Sequence, residues 1–191
     1  MSTAVLLAPG AGASRDQSTL VAIERGLAPI PVERMDFPYR KAGRKSPDRP
    51  EVLIAAVRDA AAALAARTGV EPAAIVLGGR SMGGRMCSMA VGDEQAPLPA
   101  RGLVLISYPL HPAGKPGSLR TEHFPRLGVP CLFVSGTRDT FGTPEEMEAA
   151  TALIPGRVTH VWIEGGNHGL RGNDDAVVAA VRQWVASGLP G

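Results

Sequence analysis

Gly79-Arg80-Ser81-Met82-Gly83 sets a serine between glycines, directly after the apolar run Ala74-Ile75-Val76-Leu77 and ahead of a helix expected from Arg85 to Val91. A strand, a tight glycine-walled turn and a helix would lift the hydroxyl above a sheet edge, with room beside it for a substrate. The helix N-terminus adds backbone N–H groups that favour developing negative charge. A serine hydroxyl is a weak nucleophile at neutral pH, so the chemistry also needs an imidazole to take its proton and a carboxylate to orient that imidazole. Two later segments offer these groups: Gly136-Thr137-Arg138-Asp139 follows one apolar run, and Gly165-Gly166-Asn167-His168 follows another. Each has an ordinary alternative. Ser81 suits a helix cap, Asp139 a turn former and His168 a surface-loop histidine. Their joint occurrence at three strand ends is what points to acyl transfer. Of the other histidines, His160 lies within a strand pattern, while His111 and His123 sit in a proline-rich connection.

An oxyanion formed during attack on an acyl carbon needs donors. The N–H of Met82, next after the nucleophile, is the first candidate, and the Ala11 N–H of the loop Pro9-Gly10-Ala11-Gly12 is the second.

The elements that must hold these groups are legible as alternating apolar strands and amphipathic helices. Strands are expected at Val5 to Ala8, Pro31 to Phe37, Ala74 to Leu77, Gly102 to Ile106, Cys131 to Ser135 and Val158 to Ile163. Between them, Leu20, Ile23 and Leu27 share one face of a helix over 16–28, and Leu53, Val57, Ala60 and Leu64 one face of a helix over 50–67 that ends before Gly69. Thr143, Pro144 and Glu146 form a capping-box signature ahead of Met147, Ala150 and Ile154. Asn173 or Asp174 opens the last helix, with Val177, Val181, Trp184 and Val185 on its buried face and Gly188 at its end. Six strands separated by helices predict an α/β protein with a mostly parallel sheet, covered on both faces. Its site lies at the carboxyl ends of the strands.

A length of 191 residues, 45% hydrophobic and 20% charged, suits a single domain over 1–191 with a full core. The net charge of +2 is too small to imply nucleic-acid binding. No run is apolar enough to span a membrane and no basic leader precedes the first strand, so a cytoplasmic location is the expectation. Cys87 and Cys131 read as buried hydrophobes, too few for the usual zinc spacing, and neither a metal nor a cofactor is expected. The basic stretch Arg40, Lys41, Arg44, Lys45 and Arg49 reads as a solvated loop, or as a rim attracting anions or a partner. Gly10-Ala11-Gly12 after the first strand hints at a dinucleotide fingerprint, but Arg15 stands where the third glycine belongs.

The chain resembles the α/β-hydrolase superfamily and, within it, the dienelactone-hydrolase-like proteins. It is most similar to a family of small hydrolases that includes bacterial stand-alone proteins, testis-expressed hydrolase-like proteins and subunit 3 of the NSL histone-acetyltransferase complex. The likeness runs through Pro9-Gly10-Ala11-Gly12, Asp36-Phe37-Pro38-Tyr39, the long run from Gly78 to Met86, Tyr108-Pro109-Leu110-His111-Pro112, Leu119-Arg120-Thr121-Glu122-His123, Gly136-Thr137-Arg138-Asp139 and Asn167-His168. It implies an α/β-hydrolase fold with Ser81, Asp139 and His168 as a triad in the order that superfamily uses. Pro9 stands where many hydrolases have histidine, and Ser81 where dienelactone hydrolases have cysteine. The connection over 107–130 is too short for a cap domain, which predicts an open site for small esters or exposed acyl groups. The expected function is a serine hydrolase acting on ester, thioester or related acyl bonds of a small-molecule substrate. A non-catalytic interaction module on the same fold is the alternative. Oligomeric state is not legible.

Overall fold

The computed structural model describes residues 2–187 and Leu189. Six strands, β1 (Ala4–Ala8), β2 (Val32–Arg34), β3 (Ile75–Arg80), β4 (Gly102–Ile106), β5 (Cys131–Gly136) and β6 (Val158–Ile163), form one sheet in the order β2-β1-β3-β4-β5-β6. Every neighbouring pair is parallel. The chain steps from β1 outward to β2, then crosses back so that β3 flanks β1 on its other side. That reversal opens a crevice between the carboxyl ends of β1 and β3.

Both faces of the sheet are covered because successive residues of the inner strands point to opposite faces and are apolar on both. Ala4, Leu6 and Ala8 of β1 and Leu103 and Leu105 of β4 join one core, with Leu53, Val57 and Leu64 of α3 (Pro50–Thr68), Met86, Cys87 and Ala90 of α4 (Met82–Val91), and Met147 and Ala150 of α5 (Pro144–Thr151). Val5, Leu7, Val104 and Ile106 enter the other, against Leu20, Ile23 and Leu27 of α1 (Ser18–Leu27) and Val177, Val181 and Trp184 of α6 (Asp174–Ser187). A short helix, α2 (Pro38–Lys41), follows β2.

The expected elements are all present, with several boundaries moved. β2 is shorter than the run 31–37: only Val32–Arg34 pairs with β1, and Met35 and Phe37 are buried as loop residues. On α3 the buried alanine is Ala61, with Ala60 only partly covered. Val185 is likewise packed but half-buried, while the expected stop at Gly188 lies outside the described residues. The capping box of α5 forms as read: Thr143 Oγ1 accepts from the Glu146 N–H, and the Glu146 carboxylate accepts from the Thr143 N–H. Cys87 and Cys131 are free and buried, and burial pushes both thiols up to about 12. The basic stretch, which starts in α2 with Arg40 and Lys41 and runs on to Arg49, is largely exposed, with Arg44 paired to Asp48.

The β4–β5 connection contains one 3-10 turn, Phe124–Arg126, and no inserted domain. It is anchored by Tyr108, Leu110 and Phe124 in the core and by His123, whose Nε2 lies 2.8 Å from the Ser88 hydroxyl. His123 is 5% exposed; burial, reinforced by Arg85 and Arg126, pushes its pKa down to about 4. In the unfolded chain an imidazole titrates near 6.5. Between those values the unfolded state holds the extra proton, so stability rises with pH there. The contribution is complete above about pH 6.5 and is lost as pH falls towards about 4, a change on the order of 3 kcal/mol. Urea unfolding of the wild type and His123→Gln at several pH values between 7 and 4.5 tests this. The variant is expected to show a flatter acid decline, part of which persists because burial also lowers His160. An identical slope in the two proteins overturns the assignment.

Candidate active site

β3 runs three residues beyond its apolar run. Gly78, Gly79 and Arg80 keep the register with Val104, Leu105 and Ile106 and deliver Ser81 to the sheet edge. The Ser81 N–H donates to the Ile106 carbonyl at 2.8 Å, and α4 begins at the next residue. At Ser81 the backbone has φ 51° and ψ −117°, a conformation that costs a non-glycine residue about 1–3 kcal/mol and persists only where the surroundings impose it. Close packing imposes it here. A β-carbon at Gly79 would meet the Ala8 carbonyl oxygen at 2.1 Å, and one at Gly83 would meet the same atom at 2.2 Å. The two glycines therefore let the turn and the first turn of α4 settle directly on the end of β1.

The Ser81 hydroxyl does not cap α4. It lies 2.9 Å from His168 Nε2. On the other side of the ring, His168 Nδ1 lies 2.8 Å from Asp139 Oδ2 and 3.1 Å from Oδ1. Asp139 is 3% exposed and sits in the turn after β5, where its Oδ1 also accepts the Phe141 N–H at 2.9 Å. The structure thus brings the three sequence-selected residues from three strand ends into one hydrogen-bonded chain.

Other groups hold that chain in place. The Phe141 ring packs on the imidazole with centroids 4.2 Å apart. Arg80 donates from Nη2 to the His168 carbonyl at 2.5 Å, pinning the loop after β6. Burial lowers the Arg80 pKa, against the opposing pull of Asp139 and Asp174. The loops after β5 and β6 touch backbone to backbone, because a β-carbon at Gly136 would meet the Gly166 carbonyl oxygen at 2.2 Å.

The loop after β1 is fixed by side chains. Gly10 N–H donates to Gln17 Oε1 and Gly12 N–H to the Tyr39 hydroxyl, each at 3.1 Å. Among the described residues the Ala11 N–H between them has no acceptor, and neither does the Met82 N–H at the start of α4. Ala11, Ser81, Met82 and His168 line one cleft of about 500 Å³, which is neither a closed cavity nor a flat surface. Ser81 is half-buried in it.

Sequence reasoning missed several members of this site. Gln17, which also lines the cleft, and Tyr39 carry no chemical pattern and hold the backbone of the loop after β1. Phe141 also lines the cleft, as do Arg80, Arg85 and Arg120. Arg80 and Arg85 flank the serine in sequence and were a usable signal; Arg120 arrives from a distant connection.

A serine on a strand-to-helix turn at the switch point of a parallel sheet, backed by histidine and a buried carboxylate, defines a class of α/β protein that presents a hydroxyl to a cleft. The alpha/beta hydrolase domain model matches residues 1–183, and the chain belongs to that family. Its fold is like that of a dienelactone hydrolase. The dienelactone hydrolase of Anabaena variabilis superposes with a TM-score of 0.73 over 97% of this chain and 86% of that one, at 18% identity. A Xanthomonas campestris α/β serine hydrolase without lid gives 0.74 over 100% and 85%, at 17% identity. At such identities the likeness is one of fold. In sequence, the chain is 39% identical over 66 residues to a pimeloyl-[acyl-carrier protein] methyl ester esterase of Stenotrophomonas maltophilia. That match spans 35% of this chain and 26% of the esterase. Among the described residues no helix is long and apolar enough to cross a membrane.

Proposed function

We propose that the protein is a serine hydrolase that cleaves ester, thioester or related acyl bonds of small molecules through an acyl-enzyme. The observation that carries this reading is the continuous chain from Ser81 Oγ through His168 to Asp139, at 2.9 and 2.8 Å. With a proton on Nδ1 held by Asp139, the Nε2 lone pair accepts the serine proton as Oγ attacks the acyl carbon. The carbonyl π electrons move onto oxygen, and the unengaged N–H groups of Ala11 and Met82 are the donors for that oxyanion. Collapse expels the alcohol or thiol, which takes the proton from His168, and leaves the acyl group on Ser81. Water then repeats the sequence in the second half-reaction, returning the serine and releasing the acid. The helix α4, starting at Met82, points its N-terminal partial charge at the same place. Two free, buried cysteines suit a reducing cytoplasm, and the ester named for the Stenotrophomonas relative suits the substrate class.

A fluorophosphonate probe tests the reading by covalent capture. Intact-mass analysis is expected to show one adduct on the wild type, mapped to the peptide holding Ser81, and none on Ser81→Ala. A folded wild-type protein that takes up no probe, or takes it elsewhere, overturns the proposal and leaves the fold as an interaction scaffold.

A further inference from the structure

Three arginines line the cleft that holds Ser81, and no carboxylate of the described residues pairs with any of them. Arg80 is occupied, through its Nη2 contact with the His168 carbonyl and the field of Asp139 and Asp174. Arg85 and Arg120 are different. Arg85 stands one helical turn after the serine, its N–H bonded to the Ser81 carbonyl, and side chains on a helix lean back towards the N-terminus. Its side chain lines the cleft within electrostatic reach of Arg120 and Tyr108, and its buried Nε has no hydrogen-bond partner.

Arg120 comes from the β4–β5 connection and is held rigidly by its backbone. Its N–H donates to the Leu110 carbonyl at 2.8 Å, and its carbonyl accepts from the buried Tyr108 hydroxyl at 2.7 Å. The guanidinium makes one long contact of 3.3 Å, to the Pro109 carbonyl. Burial and the neighbouring Arg85 both disfavour its charge. Glu122, two residues on, is exposed and forms no ion pair with either arginine. Two half-buried like charges facing one cleft without a counterion are unfavourable in the free protein. A bound anion removes that penalty, and a guanidinium fork matches carboxylate or phosphate oxygens.

We infer that Arg85 and Arg120 form an oxyanion-recognition site beside Ser81, so that the substrate is an acyl ester or thioester carrying a carboxylate or phosphate group. This rests on the hydrolase reading for the reaction, but not for the binding. The matched probes are mono-p-nitrophenyl glutarate and p-nitrophenyl butyrate, which share a leaving group and differ in one terminal charge. Wild type is expected to favour the glutarate ester at least about tenfold in kcat/KM, and Arg85→Gln or Arg120→Gln to remove most of that preference, chiefly through KM. Competition by glutarate against inorganic phosphate tells a carboxylate site from a phosphate site. Titration calorimetry of monomethyl glutarate into Ser81→Ala, with and without Arg120→Gln, reads binding apart from turnover. Arginine-dependent binding without turnover of either ester upholds the anion site and defeats the hydrolase reading. Turnover with no preference for the charged ester, and equal losses on both esters in the variants, overturns the anion site alone.

Discussion

Ser81→Ala and His168→Ala are each expected to lower kcat on p-nitrophenyl acetate by about a million-fold, and the double variant by no more than either alone. The reason is the 2.9 Å contact between Ser81 Oγ and His168 Nε2. An imidazole with no hydroxyl to deprotonate and a hydroxyl with no base are equally idle, so the second deletion removes nothing that the first has left working. The oxyanion donors and the cleft survive in all three variants, and a residual rate about 10³–10⁴ above that of water is expected from them. Stability should change little in Ser81→Ala, since the hydroxyl caps no helix and makes no contact in the apolar core, whereas His168→Ala strips the buried Asp139 carboxylate of its imidazole partner and should cost about 1–3 kcal/mol. Single-turnover kinetics with circular dichroism on the same samples checks both halves. Losses that multiply in the double variant, or a single variant within a hundredfold of wild type, mean that the pair does not act as one proton-transfer unit.

The sequence was most informative where burial imposes a simple period. β4 and β6 have the expected bounds because each ends where its apolar run ends. β3 was read too short for the opposite reason. Its last three residues, Gly78, Gly79 and Arg80, look like a loop, yet a β-carbon at Gly78 would meet the Val104 carbonyl oxygen at 2.2 Å. The same packing hid the start of α4: Gly83 and Gly84 are poor helix formers, tolerated because Gly83 rests on the end of β1 and Gly84 on Gly79 of β3. β2 was read too long because Met35 and Phe37 are buried in loop rather than ladder. The sheet is fully parallel where a mostly parallel one was expected.

The site divides in a similar way. The hydrogen-bonded trio Ser81, His168 and Asp139 was legible because a hydroxyl, an imidazole and a carboxylate are searchable residue types and because strand ends can be found by pattern. The residues that tune the site were not. Arg120 meets the cleft only because Tyr108 and Leu110 bury the start of its connection, and Tyr39 reaches Gly12 from α2, which packs on α3. Such contacts are products of topology, and no periodicity encodes them. The arrangement also explains how one connection serves two purposes. His123 and Phe124 bury it in the core, and that rigidity holds the Arg120 backbone fixed at the mouth of the cleft.

Asp139→Asn is expected to lower kcat about ten-thousand-fold while leaving the fold intact, and the hydrogen bonds show why the amide cannot adapt. Oδ1 accepts the Phe141 N–H at 2.9 Å, whereas Oδ2 is the oxygen nearer to His168 Nδ1, at 2.8 Å. The amide oxygen of an asparagine must stay on the Phe141 N–H, since the opposite flip would set two donors against each other. Its NH₂ group then faces Nδ1 and donates to it. The imidazole responds by carrying its proton on Nε2, and an Nε2–H cannot accept a proton from Ser81. The contacts at Nδ1 and Nε2 are both kept with their directions reversed, so the melting temperature should stay within a few degrees of wild type. Asp139→Ala gives the contrast: it leaves the Phe141 N–H and His168 Nδ1 without partners and should lose about 1–3 kcal/mol of stability as well as activity. Fluorophosphonate labelling rates should fall in step with kcat in both variants. If Asp139→Asn labels and turns over within tenfold of wild type, the carboxylate does not set the tautomer, and His168 is oriented by the Phe141 ring and the Arg80 contact alone.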